Sequence, residues 1–88
     1  MLSNLSRPPA GTPLIPLSML GPGERGVVVD MRGGRGIRGR LSAMGLVPGV
    51  QVSVVNNGGN AGPLIVAIMD TRLALGRRMA HRILVQPL

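Results

Sequence analysis

The chain has 88 residues, no cysteine, no Phe, Trp or Tyr, and a formal net charge of +7 from ten arginines against three acids. That length allows one small domain with one modest core, and the missing thiols exclude disulfides and thiolate metal sites, so packing of Val, Ile, Leu, Met and Ala must hold the fold. The missing aromatics exclude domains that stack nucleobases on aromatic rings and Pro-rich peptide readers with aromatic-lined grooves.

Residues 1–13, with Pro8, Pro9 and Pro13 among small polar neighbours, read as a flexible or extended tail ahead of a domain spanning 14–88. Pro13 and Pro16 make a literal Pro-x-x-Pro, a spacing that arises easily in a proline-rich lead. No charged cluster precedes an apolar run of signal length, and no stretch reaches the ~20 apolar residues of a spanning helix, so a cytoplasmic protein is the expectation. Leu17 and Leu20 are expected to pack from a single turn, after which Gly21-Pro22-Gly23 turns the chain. Residues 26–31 are the first predicted strand, with Val27, Val29 and Met31 on one face and Val28 and Asp30 on the other.

The most informative stretch is 40–49, Arg-Leu-Ser-Ala-Met-Gly-Leu-Val-Pro-Gly. Ile37, Leu41 and Met44 stand at i, i+4 and i+7, one apolar stripe on a short helix over 36–44, which places Met44 in the core. Gly45 then sits where a left-handed residue stops the helix, Leu46 folds back onto Leu41, and Pro48 prevents the helix from resuming.

Val50, Val52 and Val54 alternate with Gln51 and Ser53, a half-buried strand. A loop over 56–60 with Asn57-Gly58 signals a hairpin. A third strand over 64–69, a turn at Asp70-Thr71 and a fourth strand over 72–75 follow. Residues 76–82 are read as one or two helical turns with Met79 and Ala80 inward and Arg77, Arg78 and Arg82 outward, and 83–85 as a closing strand. About five short strands with two short helices predict a mainly β fold, a small closed or partly closed barrel.

Several motifs invite sharper readings. Gly34-x-Gly36-x-x-Gly39 matches the dinucleotide fingerprint and opens a helix after a strand. With 14 glycines such a match is expected by chance, and Asn56 and Asn57 stand where an acidic ribose ligand belongs, so no cofactor is assigned. The Arg-Gly stretch over 32–40 offers an alternative, RNA or DNA binding through a basic surface, but Ile37 and the continuing helix argue for folded structure. His81, Glu24, Asp30 and Asp70 are scattered, which makes a poor ferrous site and no catalytic constellation. No metal ligand, catalytic residue or small-molecule substrate is therefore assigned. What remains is protein binding, with Arg35, Arg38, Arg40, Met44 and Leu46 around the helix and its exit as the expected partner surface, and with Met69 and Met79 at a rim.

Taken together, Leu17-x-x-Leu20-x-Pro22-Gly23, Arg40-Leu41-x-x-Met44-Gly45-Leu46-x-Pro48-Gly49, Gly62-Pro63-Leu64, and Leu73-Ala74-Leu75 ahead of Ala80 and Ile83-x-Val85 resemble the FeoA family, ferrous iron transport protein A, over about residues 17–86. The resemblance implies an SH3-like barrel that serves as a small cytosolic accessory of FeoB, the ferrous iron transporter with a cytosolic G domain, touching the membrane only through that partner. It is also similar to the last domain of DtxR-type iron-dependent repressors, but no helix-turn-helix precedes it here. A GTPase-activating role would need an inserted arginine, which Arg38 or Arg40 could supply. Two departures stand out: members often carry arginine directly after Leu-Ala-Leu, where this chain has Gly76 and then Arg77, and 1–13 lie outside the pattern.

Overall fold

The computed structural model describes residues 13–59 and 62–88; the predicted tail, apart from Pro13, and Asn60 of the predicted loop lie outside the described residues. Six strands, β1 (Ile15–Pro16), β2 (Arg25–Met31), β3 (Gln51–Asn56), β4 (Leu64–Ile68), β5 (Thr71–Leu75) and β6 (Ile83–Pro87), form one antiparallel sheet in the order β1-β6-β2-β3-β4-β5. Helix α1 (Arg35–Ala43) joins β2 to β3, helix α2 (Arg77–His81) joins β5 to β6, and a 3-10 turn, Leu17–Met19, follows β1. The mainly β expectation holds, with one strand more than foreseen. Two-residue β1 carries no period to read, and β6 runs two residues past its predicted end because Gln86 and Pro87 pair with Val27 and Gly26.

The core is aliphatic throughout. Leu64, Val66 and Ile68 of β4, Val52 and Val54 of β3, and Ile83 and Val85 of β6 are buried at every second position, as strands with one face inward require. Leu17 and Leu20 are also buried, with Leu41, Leu46 and Ala80 from the helices and their exits. The second proline of the Pro-x-x-Pro spacing is part of this framework, because Ile15 and Pro16 pair with Val85 and Leu84. Pro16 lies on an edge strand, where its missing N–H costs no ladder bond.

Strand β2 departs from the alternation expected of it. Val28 and Met31 are the buried pair, while Val27 and Val29 are only half-buried. Between Val28 and Asp30 the pairing with β6 shifts register, leaving Val29 as a bulge that moves the inward phase by one residue. Val27 and Val29 share a face opposite Val28, as predicted, but beyond the bulge Met31 joins Val28 on the inward face and Asp30 turns outward, a change that a single-strand period cannot reveal. A second shift in β3 at Val55 ends that strand's alternation in the same way.

The helix stop forms as its residues require. Gly45 has φ 91°, its N–H donates to Ser42 O at 2.9 Å, and the Leu46 N–H donates to Leu41 O at 2.9 Å. Those two bonds are the paired closure of a Schellman motif, and Leu41 and Leu46, both fully buried, supply its hydrophobic contact. Met44, predicted in the core, is 37% exposed. It is the C-cap residue, and the fold-back gives the apolar position to Leu46 in its place. Gly49, with φ 94°, then completes a turn closed by the Val50 N–H on Val47 O. The β4–β5 connection falls at Met69-Asp70, one residue earlier than predicted, because Ile68 pairs with Thr71.

Candidate functional site

The surface singled out from sequence lies on α1. Arg35, Arg38 and Arg40 are all exposed. Arg38 Nη2 stands 3.7 Å from Asp30 Oδ1, the one ion pair among the described residues, and both side chains are more than half exposed, so the pair adds little stability. Its Nε also donates to Gly33 O at 3.4 Å, a long bond. Arg35 and Arg40 have no side-chain partner among the described residues. Met44 offers an apolar edge at the helix exit, whereas Leu46 is fully buried and can only support this surface from beneath. Gly34 caps α1, and a Cβ built at Gly34, Gly36 or Gly39 meets nothing within 4 Å. No close approach by another part of the chain explains these glycines.

A second surface is concave. Between β1, the 3-10 turn, α2 and the start of β6 lies an open cleft of about 750 Å³. Arg32, Arg78, Arg82 and His81 line it together with Met19 and Leu84. Backbone pairing sets its floor, since the Arg32 N–H donates to Arg82 O at 2.7 Å and joins the end of β2 to the start of β6. Ser18 Oγ and His81 Nδ1, 3.1 Å apart, tie the 3-10 turn to α2 by a hydrogen bond whose donor depends on the imidazole tautomer.

Arg77 has a different role from the one its neighbours suggest. Its Nη2 donates to Asn57 O, to Asn57 Oδ1 at 3.1 Å and to Gly59 O at 3.0 Å, while Asn57 Nδ2 donates to Leu20 O at 2.7 Å. The residue predicted to point into solvent is half-buried and fastens the β3–β4 loop to α2 and the 3-10 turn. Met79 is half-buried beside the core, and Met69, 92% exposed, occupies the β4–β5 tip at φ 54°. Arg78 and Arg82 are exposed and outward, as expected, but their convergence with Arg32 was not foreseen. Their i, i+4 spacing was legible; the approach of Arg32 depends on the β2–β6 pairing.

The FeoA domain family matches residues 15–87, from the first residue of β1 to the last of β6. The chain belongs to the FeoA family. It is 32% identical over 73 residues to a Methanocaldococcus jannaschii protein that carries the provisional name Fe(2+) transport protein A, covering 83% of this chain and 87% of the relative. A crystal structure of an iron uptake regulatory protein, FeoA, superposes with a TM-score of 0.81 at 38% identity, covering 86% of this chain and all of that one. Stenotrophomonas maltophilia FeoA complexed with zinc, described as a procaryotic SH3 domain protein, gives 0.65 at 34% identity over 78% of this chain and 86% of that one. The FeoA fold is thus SH3-like here, as the sequence predicts, and the chain is tied to ferrous iron transport. Among the described residues of this FeoA-family chain no three His, Cys, Asp or Glu side chains gather into a metal-binding group. No helix among them is long and apolar enough to cross a membrane.

Proposed function

We propose that this chain is a non-enzymatic cytosolic accessory of ferrous iron uptake that binds the cytosolic part of a FeoB-like membrane transporter and modulates it. The observation that carries the proposal is the FeoA family match across the whole described barrel. The exposed arginines of α1 and its Met44 exit supply a cationic surface with an apolar edge, and such a surface contributes encounter rate and orientation more than affinity. Ferrous iron is the transporter's cargo in this proposal, and the accessory acts on the transporter.

The test is capture of the tagged chain from detergent-solubilised membranes containing a FeoB-like transporter, at about 0.15 M salt, with and without GTP. Recovery of the transporter, lost in an R35E/R40E double variant that remains folded, is the expected result. Recovery of nucleic acid alone, released as salt rises, would replace this reading with RNA or DNA binding through the Arg-Gly surface.

A further inference from the structure

The cleft between β1, the 3-10 turn, α2 and β6 gathers like charges without counterions. Arg32, Arg78 and Arg82 are exposed there, and none has a side-chain partner among the described residues. Arg78 and Arg82, four residues apart at the end of α2, repel each other by their spacing alone. The three acids of the chain are placed elsewhere. Glu24 accepts from the Gly21 N–H, Asp30 faces Arg38 and accepts from the Met31 N–H, and Asp70 is in the β4–β5 turn. None of them lines the cleft. Beside the charges stands exposed apolar surface, with Met19 67% and Leu14 36% exposed.

We infer that this cleft is a docking site for an extended acidic segment of a partner protein, one that interleaves carboxylates with aliphatic side chains. Arginine forks match carboxylates in bidentate geometry, and methionine adapts to varied aliphatic shapes. The volume falls within the range of binding sites, while the open form suits an extended chain laid across it. A nucleic-acid strand fits less well, since Met19 and Leu14 offer nothing to a sugar-phosphate backbone and the chain has no aromatic ring to stack a base. The occupant is foreign to this chain. Residues 1–12 carry Arg7 and no acid, and the chain's three acids are isolated in sequence, so neither its own lead nor a second copy presents an acidic run.

This inference rests on the accessory reading for the identity of the partner, but its test needs no transporter. The purified full chain is titrated into a fluorescein-labelled peptide of alternating glutamate and leucine, with the glutamine-leucine counterpart and an oligothymidylate as comparisons. Saturable binding of the acidic peptide is expected, weaker by about tenfold or more when glutamine replaces glutamate or in an R78E/R82E variant, as lost charge-assisted bonds require. Met19→Ser weakens it severalfold, whereas R25E/R72E, the same charge change at exposed arginines that do not line the cleft, leaves it within about twofold. Amide spectra of each variant verify the fold. Equal binding of the glutamine peptide, tighter binding of the oligothymidylate, or equal loss in the R78E/R82E and R25E/R72E variants overturns the inference. Peptide binding with no transporter captured refutes the accessory reading alone; capture of the transporter with no peptide binding refutes the cleft alone.

Discussion

Glycines at neighbouring positions of this chain do opposite things, and the backbone tells them apart. At Gly45 a Cβ would meet nothing within 4 Å, but φ is 91°, so the cost of a side chain lies in the backbone itself. Gly45→Ala is expected to lower stability by about 1–2 kcal/mol, read as a lower urea midpoint with unchanged m-value. Gly36 and Gly39 stand inside α1 with ordinary helical geometry and open space where a Cβ would go. Alanine at either position is expected to stabilise by about 0.5–1 kcal/mol, and the same titration gives the opposite sign.

Each connecting element is fixed by one closure. The exit of α1 depends on Leu46 lying over Leu41, so Leu46→Ala opens a cavity and is expected to cost about 2–5 kcal/mol, much of the stability of a small domain. Met44→Ala, two residues earlier and exposed, is expected to change stability by no more than about 0.5 kcal/mol. Thermal unfolding of the two variants side by side separates the fold-back from the predicted stripe. The β3–β4 loop depends on Arg77. Arg77→Ala leaves the Asn57 and Gly59 carbonyls without their donor, at a cost of about 1–3 kcal/mol. Faster amide exchange around Gly58 and Gly62, whose N–H bonds lie in that loop, is the local readout, and Arg78→Ala leaves it unchanged.

On the scale of the molecule, charge is unevenly distributed, and two cationic surfaces result. The α1 surface has one arginine held by Asp30, whereas the cleft is concave with no acid on its walls. Salt distinguishes the partners such surfaces take. A protein contact with an apolar part is expected to survive physiological salt, while a purely phosphate contact weakens steeply as salt rises, and capture repeated at three salt concentrations measures the slope. With no aromatic residue to anchor an interface, affinity at either surface must come from arginine and aliphatic contacts.

Local sequence pattern determined most of the architecture. The period-two runs of β3 and β4, the paired leucines of the 3-10 turn and the Gly45-Leu46 stop are each complete within about ten residues. The family cassette lies in the same stretches, which made the barrel and its FeoA membership legible. Tertiary structure decided what depends on partners distant in sequence. The bulge at Val29 exists only against β6, and β1 becomes a strand only through Val85 and Leu84. Arg77 is structural because Asn57 is folded beneath it, and Arg32 joins Arg78 and Arg82 because its N–H bonds the Arg82 carbonyl. Periodicity reports which face of an element is buried, but the convergence of side chains from separate elements follows from strand register, which is set by the whole sheet.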